Sequence, residues 1–199
     1  PFYRIEAFKA IDHKELLAGC WDAAEGHKIC AGQIGCQRSH LKALDKAIED
    51  KLPWVVVMED DMTWQPWLDV KKVQGLVSEM MTKYPDWDVI SLALSVKAEK
   101  VVGQLEGHCK PGVKCKVSRL LDAQTTGGYI VRDTIYHQMR WRFSEEYCNV
   151  RPNYKTAIDT CWKPLQHYFN WYSFEPQIAV QAGGFSDIEG RAVNYDFFR

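Results

Sequence analysis

The sequence of 199 residues has no hydrophobic run long enough to cross a bilayer and no large excess of charge of either sign. Its longest apolar run, residues 54–58, has the length of one strand, whereas a membrane-spanning helix needs about 20 apolar residues. The net charge of −1 provides no basic surplus to neutralise phosphates. We therefore predict neither a transmembrane segment nor a nucleic-acid partner.

A second lack concerns cysteine pairing. The seven cysteines form no Cys-x-x-Cys pair and their number is odd, which disfavours a zinc ribbon or a complete disulfide framework. Cys109 and Cys115, in "HCKPGVKC", would close a small loop if oxidised, but reduced thiols are the simpler expectation. On this basis a cytoplasmic location is expected and the endoplasmic reticulum is less favoured.

What the sequence does contain is an alternation of short apolar runs and amphipathic stretches. Between residues 34 and 50, His40, Leu41 and Leu44 share one face, which predicts a helix. The run "WVVVM" after Pro53 is β-branched and has no polar residue, as expected of a strand that is buried on both faces. Further predicted elements are a helix over 68–84, a strand over 87–94, a loop or hairpin over 95–116, strands on either side of a turn at "QTTGG", helices over 133–142 and within 156–165, and a strand within 170–181.

This order of elements predicts the fold class. Strands that alternate with helices indicate an α/β protein. We expect one domain over residues 1–199, with a mixed, mostly parallel central sheet flanked by helices. The chain opens at Pro1 without an initiating Met, so we also expect a preceding segment.

Three consecutive acids, Glu59, Asp60 and Asp61, follow the predicted central strand. Ligands of open α/β sheets bind beyond the carboxyl ends of the strands. Crowded carboxylates repel one another, and a bound Mg²⁺ or Mn²⁺ would resolve that repulsion. Such a metal usually completes its shell with water and substrate phosphates. On an extended backbone Glu59 and Asp61 would project to one side and Asp60 to the other. A solvated acidic turn or a helix N-cap cluster ahead of Pro66 is the open alternative.

Residues 32–67, "GQIGCQRSHLKALDKAIEDKLPWVVVMEDDMTWQPW", resemble the signature of glycosyltransferase family 25. Members of that family carry Gly-Glu-(Ile/Leu)-Gly-Cys-x-x-Ser-His, an amphipathic helix and an apolar strand that ends in Glu-Asp-Asp. The resemblance continues through "FKAID", "WDVISL", "TTGGYIV", "EPQIAVQ" and "FSDIEG". Gln33 stands where the family has Glu, and the family's opening strand has no counterpart, so we expect that strand upstream in a longer chain. Similar sequences occur among glycosyltransferases of large viruses, for which a host cytoplasmic location would be expected.

The resemblance implies a GT-A fold and a metal-dependent hexosyltransferase. The donor would be a nucleotide-diphosphate sugar, expected to be a UDP-hexose, and the acceptor a hydroxyl of a glycan or glycoprotein. Mn²⁺ or Mg²⁺ would bridge the donor diphosphate. By the same resemblance, Glu59 and Asp61 correspond to the metal ligands of an Asp-x-Asp motif. Asp60 would contact either the ribose or the groups around the metal ligands.

Two further segments offer contacts to the donor. Ser39 and His40 are expected beside it, although a core histidine on the apolar helix face is equally consistent with the pattern. Thr125, Thr126 and Gly127 offer two hydroxyls and a close backbone approach to a sugar, with a tight turn as the alternative.

The candidate general bases are two later aspartates. A base that takes a proton from an acceptor hydroxyl needs a carboxylate on the acceptor side. Asp159 is the first candidate, with a helix cap as its alternative role. Asp187 is the second candidate, or else a third metal ligand. Other functions open at this point are a Mg²⁺-dependent phosphohydrolase and a non-catalytic carbohydrate-binding module.

Overall fold

The computed structural model describes residues 24–144, 147–148, 157–186 and 191–193, together with Glu6 and Lys9. No helix in these residues is long and apolar enough to span a membrane. The helices are α1 (Ala24–Glu49), α2 (Val70–Lys83), α3 (Tyr136–Phe143) and α4 (Ile158–Cys161), with short 3-10 helices at Asp133–Ile135 and Lys163–His167. The strands are β1 (Trp54–Met58), β2 (Met62–Trp64), β3 (Val89–Lys110), β4 (Val113–Arg132), β5 (Trp171–Glu175), β6 (Ala179–Gln181), β7 (Gly184–Ser186) and β8 (Arg191–Val193).

The main sheet is built on one long hairpin, β3–β4, in the strand order β1-β4-β3-β5. Strand β5 runs parallel to the start of β3 and also pairs antiparallel with the start of β4. The predicted α/β class with a mixed sheet flanked by helices is confirmed. The expectation of mostly parallel strands is wrong for the described residues, because β3 continues into β4 through a hairpin and hairpin partners run antiparallel. Of the two alternatives for residues 95–116, the hairpin is confirmed.

Strand β1 carries the three acids at its end, but it is not a central strand. Among the described residues it pairs with β4 alone. Val55 and Val57 pack against the core beneath α1, while Trp54, Val56 and Met58 face outward and Trp54 is 45% exposed. The prediction of a strand buried on both faces is therefore wrong. A continuous apolar run does not reveal whether its second face has a partner.

Two hydrophobic cores lie on opposite faces of the sheet. Along β4, Tyr129 and Val131 belong to the core beneath α1, α3 and α4, whereas Ile130 belongs to the core beneath α2. This alternation is the period of two expected of a strand, and it makes the sheet the middle layer between two helical layers. Within this layer, β1 pairs with β4 and places its last residue, Met58, opposite Gly128.

Among the residues whose side chains the structure describes, four cysteines form disulfides, Cys109–Cys115 at the tip of the β3–β4 hairpin and Cys148–Cys161 between the segment after α3 and α4. The expectation of reduced thiols is wrong for these four, and the alternative of a small loop closed by Cys109 and Cys115 is confirmed. A count of cysteines does not reveal which pairs the fold brings together. Cys148 and Cys161, which are 13 residues apart, are such a pair. Of the cysteines whose side chains the structure describes, Cys36 is free.

The two disulfides should differ in their effect on stability. A cross-link stabilises by restricting the unfolded chain, more so for a longer loop. Replacing Cys148 and Cys161 by Ser should lower the free energy of unfolding by about 3 kcal/mol, and replacing Cys109 and Cys115 by about 2 kcal/mol. Urea unfolding of the two double variants in parallel measures both values. A larger loss from the Cys109–Cys115 pair would contradict this order.

Candidate functional site

The acidic triplet lies in a tight turn between β1 and β2. The amide of Glu59 donates to the carbonyl of Gly127 at 2.9 Å, and the amide of Met62 donates back to the carbonyl of Glu59 at 3.2 Å. The backbone therefore reverses at Asp60 and Asp61 instead of staying extended. The premise that alternate residues project to the same side is wrong here, and the three carboxylates take three different environments.

Glu59 faces the interior, between α1 and β4. Its Oε1 accepts a hydrogen bond from the Thr126 hydroxyl at 2.8 Å and lies 3.2 Å from Nε2 of His40. Burial alone would raise the pKa of the Glu59 carboxyl, but the contacts with His40 and Thr126 outweigh it and hold that pKa below its usual value. Nδ1 of His40 lies 2.9 Å from the hydroxyl of Tyr129, so the imidazole is fixed at both nitrogens.

Asp61 contacts the end of β6. Its Oδ2 accepts a hydrogen bond from Nε2 of Gln181 at 2.8 Å, and its carbonyl accepts one from the amide of Ala182 at 2.7 Å. Its Oδ1 is buried and has no hydrogen-bond partner among the described residues. Burial raises the pKa of Asp61, and the charges of Glu59 and Asp60 raise it further against the opposing bond from Gln181. Asp60 itself is exposed.

An irregularity in β4 brings a second carboxylate to this region. Ala93 of β3 pairs with Gly128 but Ser95 pairs with Gln124, so residues 125–127 bulge out of the ladder. The turn predicted at "QTTGG" is instead this bulge within one continuous strand. Thr125 has φ of +83°, a region that a β-branched residue seldom adopts, and such strain persists where the surroundings impose it.

The bulge connects the two acids that the sequence singled out separately. Its Thr126 bonds to Glu59, while the amide of Thr125 donates to Oδ2 of Asp159 at 3.1 Å. Asp159 lies in the first turn of α4, and Ala157 rather than Asp159 is the N-cap residue of that helix. The structure thus brings Asp159, Thr125, Thr126 and Glu59 together around three bulged residues.

The remaining candidates lie in other settings. The hydroxyl of Ser39 donates to the carbonyl of Gly35 one turn earlier in α1, at 2.8 Å. Gly127 contributes its carbonyl to the turn through the amide of Glu59. The predicted base Asp187 lies outside the described residues.

Sequence reasoning missed three residues of the site: Cys36, Tyr129 and Gln181. Cys36 lies four residues before His40, and its Sγ, one ring nitrogen of His40 and one carboxylate oxygen of Glu59 all lie within 4.8 Å of one another. Burial raises the pKa of the Cys36 thiol well above its usual value, and the negative charges of Glu59, Asp159 and Asp61 add to the effect. The i, i+4 spacing of Cys36 and His40 was a usable signal, whereas the contact between Asp61 and Gln181 spans 120 positions and leaves no local pattern.

The hydrogen bond from Thr126 to Glu59 should be measurable as stability. Replacing Thr126 by Val removes a donor to a charged acceptor, at an expected cost of about 1.5–3 kcal/mol in the free energy of unfolding at pH 7. The folded-state pKa of Glu59 lies below its unfolded value, so this stabilisation is present above the unfolded pKa and is lost as pH falls through the folded pKa. The cost should therefore shrink in acid.

Urea unfolding between pH 7 and pH 3 measures this dependence. Thr82→Val is the matched control, because the exposed Thr82 hydroxyl donates within its own helix, to the carbonyl of Ser78. An equal cost for the two variants, or a cost for Thr126→Val that does not change with pH, would contradict the expected role.

Comparison with known proteins assigns the chain to a family. The sequence model described as glycosyltransferase family 25 (LPS biosynthesis protein) matches residues 2–146. Among similar proteins, the probable inactive glycosyltransferase 25 family member 3 of Rattus norvegicus is 31% identical over 78 residues, and the inactive glycosyltransferase 25 family member 3 of Mus musculus 30% over 78 residues. Procollagen galactosyltransferase 1 of Danio rerio is 28% identical over 76 residues.

These alignments cover 39%, 39% and 38% of this chain, and 14%, 13% and 12% of the respective relatives. The chain therefore matches only a small part of each relative's length. The family match is broader, since it extends over more than half of the 199 residues. Because the family model matches residues 2–146, the chain belongs to glycosyltransferase family 25.

Proposed function

We propose that this domain transfers a hexose from a nucleotide-diphosphate sugar, a UDP-hexose, to a hydroxyl of a glycan or glycoprotein, and that it requires a divalent metal. Family membership supports the glycosyltransferase activity. The observation that carries the metal requirement is the Asp61 carboxylate, which is held through Oδ2 while its buried Oδ1 has no described partner. An unsatisfied buried carboxylate oxygen is costly, and a bound cation would satisfy it.

The residues present fit Mn²⁺ or Mg²⁺, which favour oxygen ligands and complete their shell with water and substrate phosphates. Asp61 is the proposed ligand, and the exposed Asp60 is the proposed contact to the ribose. When bound, the cation would offset the charge of the donor diphosphate and of the departing nucleoside diphosphate. Glu59, predicted as the second ligand, is in contact with His40 and Thr126 at the same oxygen, so we propose that it chiefly orients this side of the site.

Asp159 is the proposed acceptor-side base. Its Oδ2 is fixed by the amide of Thr125, so the carboxylate is anchored to the same bulge that contacts Glu59. In a displacement with inversion it would take the proton from the acceptor hydroxyl. We propose that the bulge, residues 125–127, places backbone and hydroxyl groups near the donor sugar.

The disulfides favour an oxidising compartment. Disulfides persist in the endoplasmic reticulum and outside the cell and are rare in the cytosol. The cytoplasmic location expected from the sequence rested on reduced thiols, and the two described pairs remove that support. We therefore propose that the chain folds in a secretory compartment.

A second candidate is a domain that binds a nucleotide sugar without transferring it. The names of two relatives, in rat and mouse, describe inactive members of the same family. Both candidates predict binding of UDP, and they differ in turnover.

Calorimetry with UDP, with and without Mn²⁺, tests the binding common to both. Release of UDP from UDP-galactose and UDP-glucose, with and without a procollagen peptide or lactose as acceptor, then separates transfer from binding alone. Metal-dependent UDP binding with hydrolysis or transfer supports the proposal. Metal-dependent binding without any turnover selects the inactive binder. No UDP binding, or binding indifferent to Mn²⁺, would overturn the metal-dependent transferase.

A further inference from the structure

We propose that Cys36, His40 and Glu59 form a three-ligand site for a thiophilic divalent cation, of which Zn²⁺ is the leading candidate. This site would be distinct from the oxygen-ligand site proposed at Asp61. It does not depend on the nucleotide or on transfer activity, so it can be tested whether or not the proposed function holds.

The donor set itself favours zinc. Cys36 and His40 are separated by one helical turn of α1 and therefore lie on the same face. Glu59 approaches that face from the end of β1, and the three donor atoms all lie within 4.8 Å of one another. A thiolate, an imidazole and a carboxylate are the ligand types of Zn²⁺, whereas Mg²⁺ and Ca²⁺ prefer oxygen alone.

The distances are close to those of a tetrahedral site. Bonds of about 2.0–2.1 Å to nitrogen and oxygen give an N···O edge of about 3.3 Å in a tetrahedron. Nε2 of His40 and Oε1 of Glu59 are 3.2 Å apart, so these two ligands need almost no movement. Sγ of Cys36 lies within 4.8 Å of the ligand atoms of both residues, so it would move closer to them when a metal binds. Three protein ligands would leave the fourth position to water, as in zinc sites that exchange a ligand.

The groups around the triad supply the outer contacts that metal ligands usually have. Nδ1 of His40 lies 2.9 Å from the Tyr129 hydroxyl, which orients the ring and leaves Nε2 directed at Glu59. The Thr126 hydroxyl holds the carboxylate of Glu59 from the side of the bulge. Such contacts to a second ring nitrogen and to a ligating carboxylate fix the ligands before a metal arrives.

Binding of Zn²⁺ would change the site around it. The Cys36 thiol would lose its proton to solvent, and the cation would replace the contact between Nε2 of His40 and Oε1 of Glu59. The Thr126 hydroxyl would then share its acceptor with a cation. Since the neighbouring Thr125 amide holds Asp159, occupancy of this site would be transmitted to the proposed acceptor-side base.

Titration with Co²⁺ is the direct test, because a cobalt–thiolate bond gives a charge-transfer band in the near ultraviolet that oxygen ligands do not give. The full chain, with its disulfides intact and without added thiols, should develop this band together with intense visible bands at one equivalent. Zn²⁺ should abolish both by displacement. A spectrum typical of oxygen ligands alone would overturn the proposal.

Three variants make the assignment specific. Cys36→Ser should lose the charge-transfer band, and His40→Gln should weaken Co²⁺ binding by at least about tenfold. Asp61→Asn should keep the band, because Asp61 is not part of the triad. Near-ultraviolet circular dichroism verifies that each variant is folded, and Cys36→Ala replaces Cys36→Ser if the latter is not. A band that persists in a folded Cys36 variant would place the thiolate elsewhere and contradict the site.

Discussion

Replacing Asp61 by Asn is expected to reduce the affinity for UDP in the presence of Mn²⁺ by at least about 100-fold, which corresponds to about 2.7 kcal/mol. The substitution removes the negative charge of the proposed ligand but keeps its size. An asparagine Oδ1 can still accept the hydrogen bond that Gln181 donates to Asp61, so the turn after β1 should be preserved. The loss would therefore report on the metal and not on the fold. Calorimetry with UDP, at fixed Mn²⁺ and without it, measures the effect.

Asp45→Asn is the matched control for this variant. Asp45 lies on the exposed face of α1, and its ion pair within the described part of the chain is with Arg140, not with the acidic turn. The Asp45→Asn variant also removes one negative charge from the protein. Its affinity for UDP should stay within about twofold of that of the unaltered chain, because distant surface charges are largely screened. Unchanged affinity in Asp61→Asn, or an equal loss in Asp45→Asn, would remove Asp61 from the proposed metal site.

Acidification should weaken the same interaction through the same carboxylate. The pKa of Asp61 is raised, chiefly by burial, so Asp61 binds a proton at a higher pH than an ordinary aspartate does. Protons and Mn²⁺ compete for the carboxylate, and metal-dependent UDP binding should fall as the pH drops through that raised pKa. Calorimetry between pH 7 and pH 3 follows this decline. A decline confined to a pH below the usual aspartate range would contradict it.

The elements that could be predicted from the sequence are those specified by local patterns. The helices predicted over 68–84 and 133–142 correspond to α2 and the segment that ends in α3, and the helix predicted over 34–50 corresponds to the later part of α1, because each has an apolar face at helical spacing. The predicted start of the first helix is wrong, because α1 begins at Ala24. The strand over 54–58 was also correct in its bounds. The burial of this strand was not predicted correctly, because the segments that cover the faces of a strand are distant in the sequence.

In the candidate site, the sequence singles out the acidic residues, but it does not predict which side chains surround them. Glu59, Asp61 and Asp159 follow from composition, position and family resemblance. Their partners are remote: Thr126 is 67 positions from Glu59, and Gln181 is 120 positions from Asp61. A local reading also assumed an extended backbone through the triplet, whereas the pairing of β2 with β6 makes the chain turn there.

The indole of Trp162 links the stability of the core to the geometry of this site, and its removal is expected to be the most destabilising single change considered. Trp162 is 1% exposed and packs against the rings of Tyr129 and Trp171, with centroids 5.5 and 4.9 Å away. Trp162→Ala would leave a cavity and cost about 3–5 kcal/mol. That is a large share of the roughly 5–15 kcal/mol that stabilises a typical domain. Urea unfolding followed by fluorescence and circular dichroism measures it.

Two tryptophan variants separate the cavity from the loss of a ring in general. Trp141→Ala removes a side chain that is 50% exposed on α3, so it should cost less than about 1 kcal/mol. Trp162→Phe keeps a ring but removes the hydrogen bond from Nε1 to the carbonyl of Ala123. That carbonyl still accepts from Gln166, so the cost should stay well below that of Trp162→Ala. Similar costs for Trp162→Ala and Trp141→Ala would show that Trp162 contributes little to the stability of the core.

The effect of Trp162 should extend to the proposed metal site. Tyr129 packs against Trp162 and its hydroxyl lies within hydrogen-bond distance of His40, so the core supports the position of His40. A folded Trp162→Ala protein should therefore bind Co²⁺ at Cys36, His40 and Glu59 more weakly.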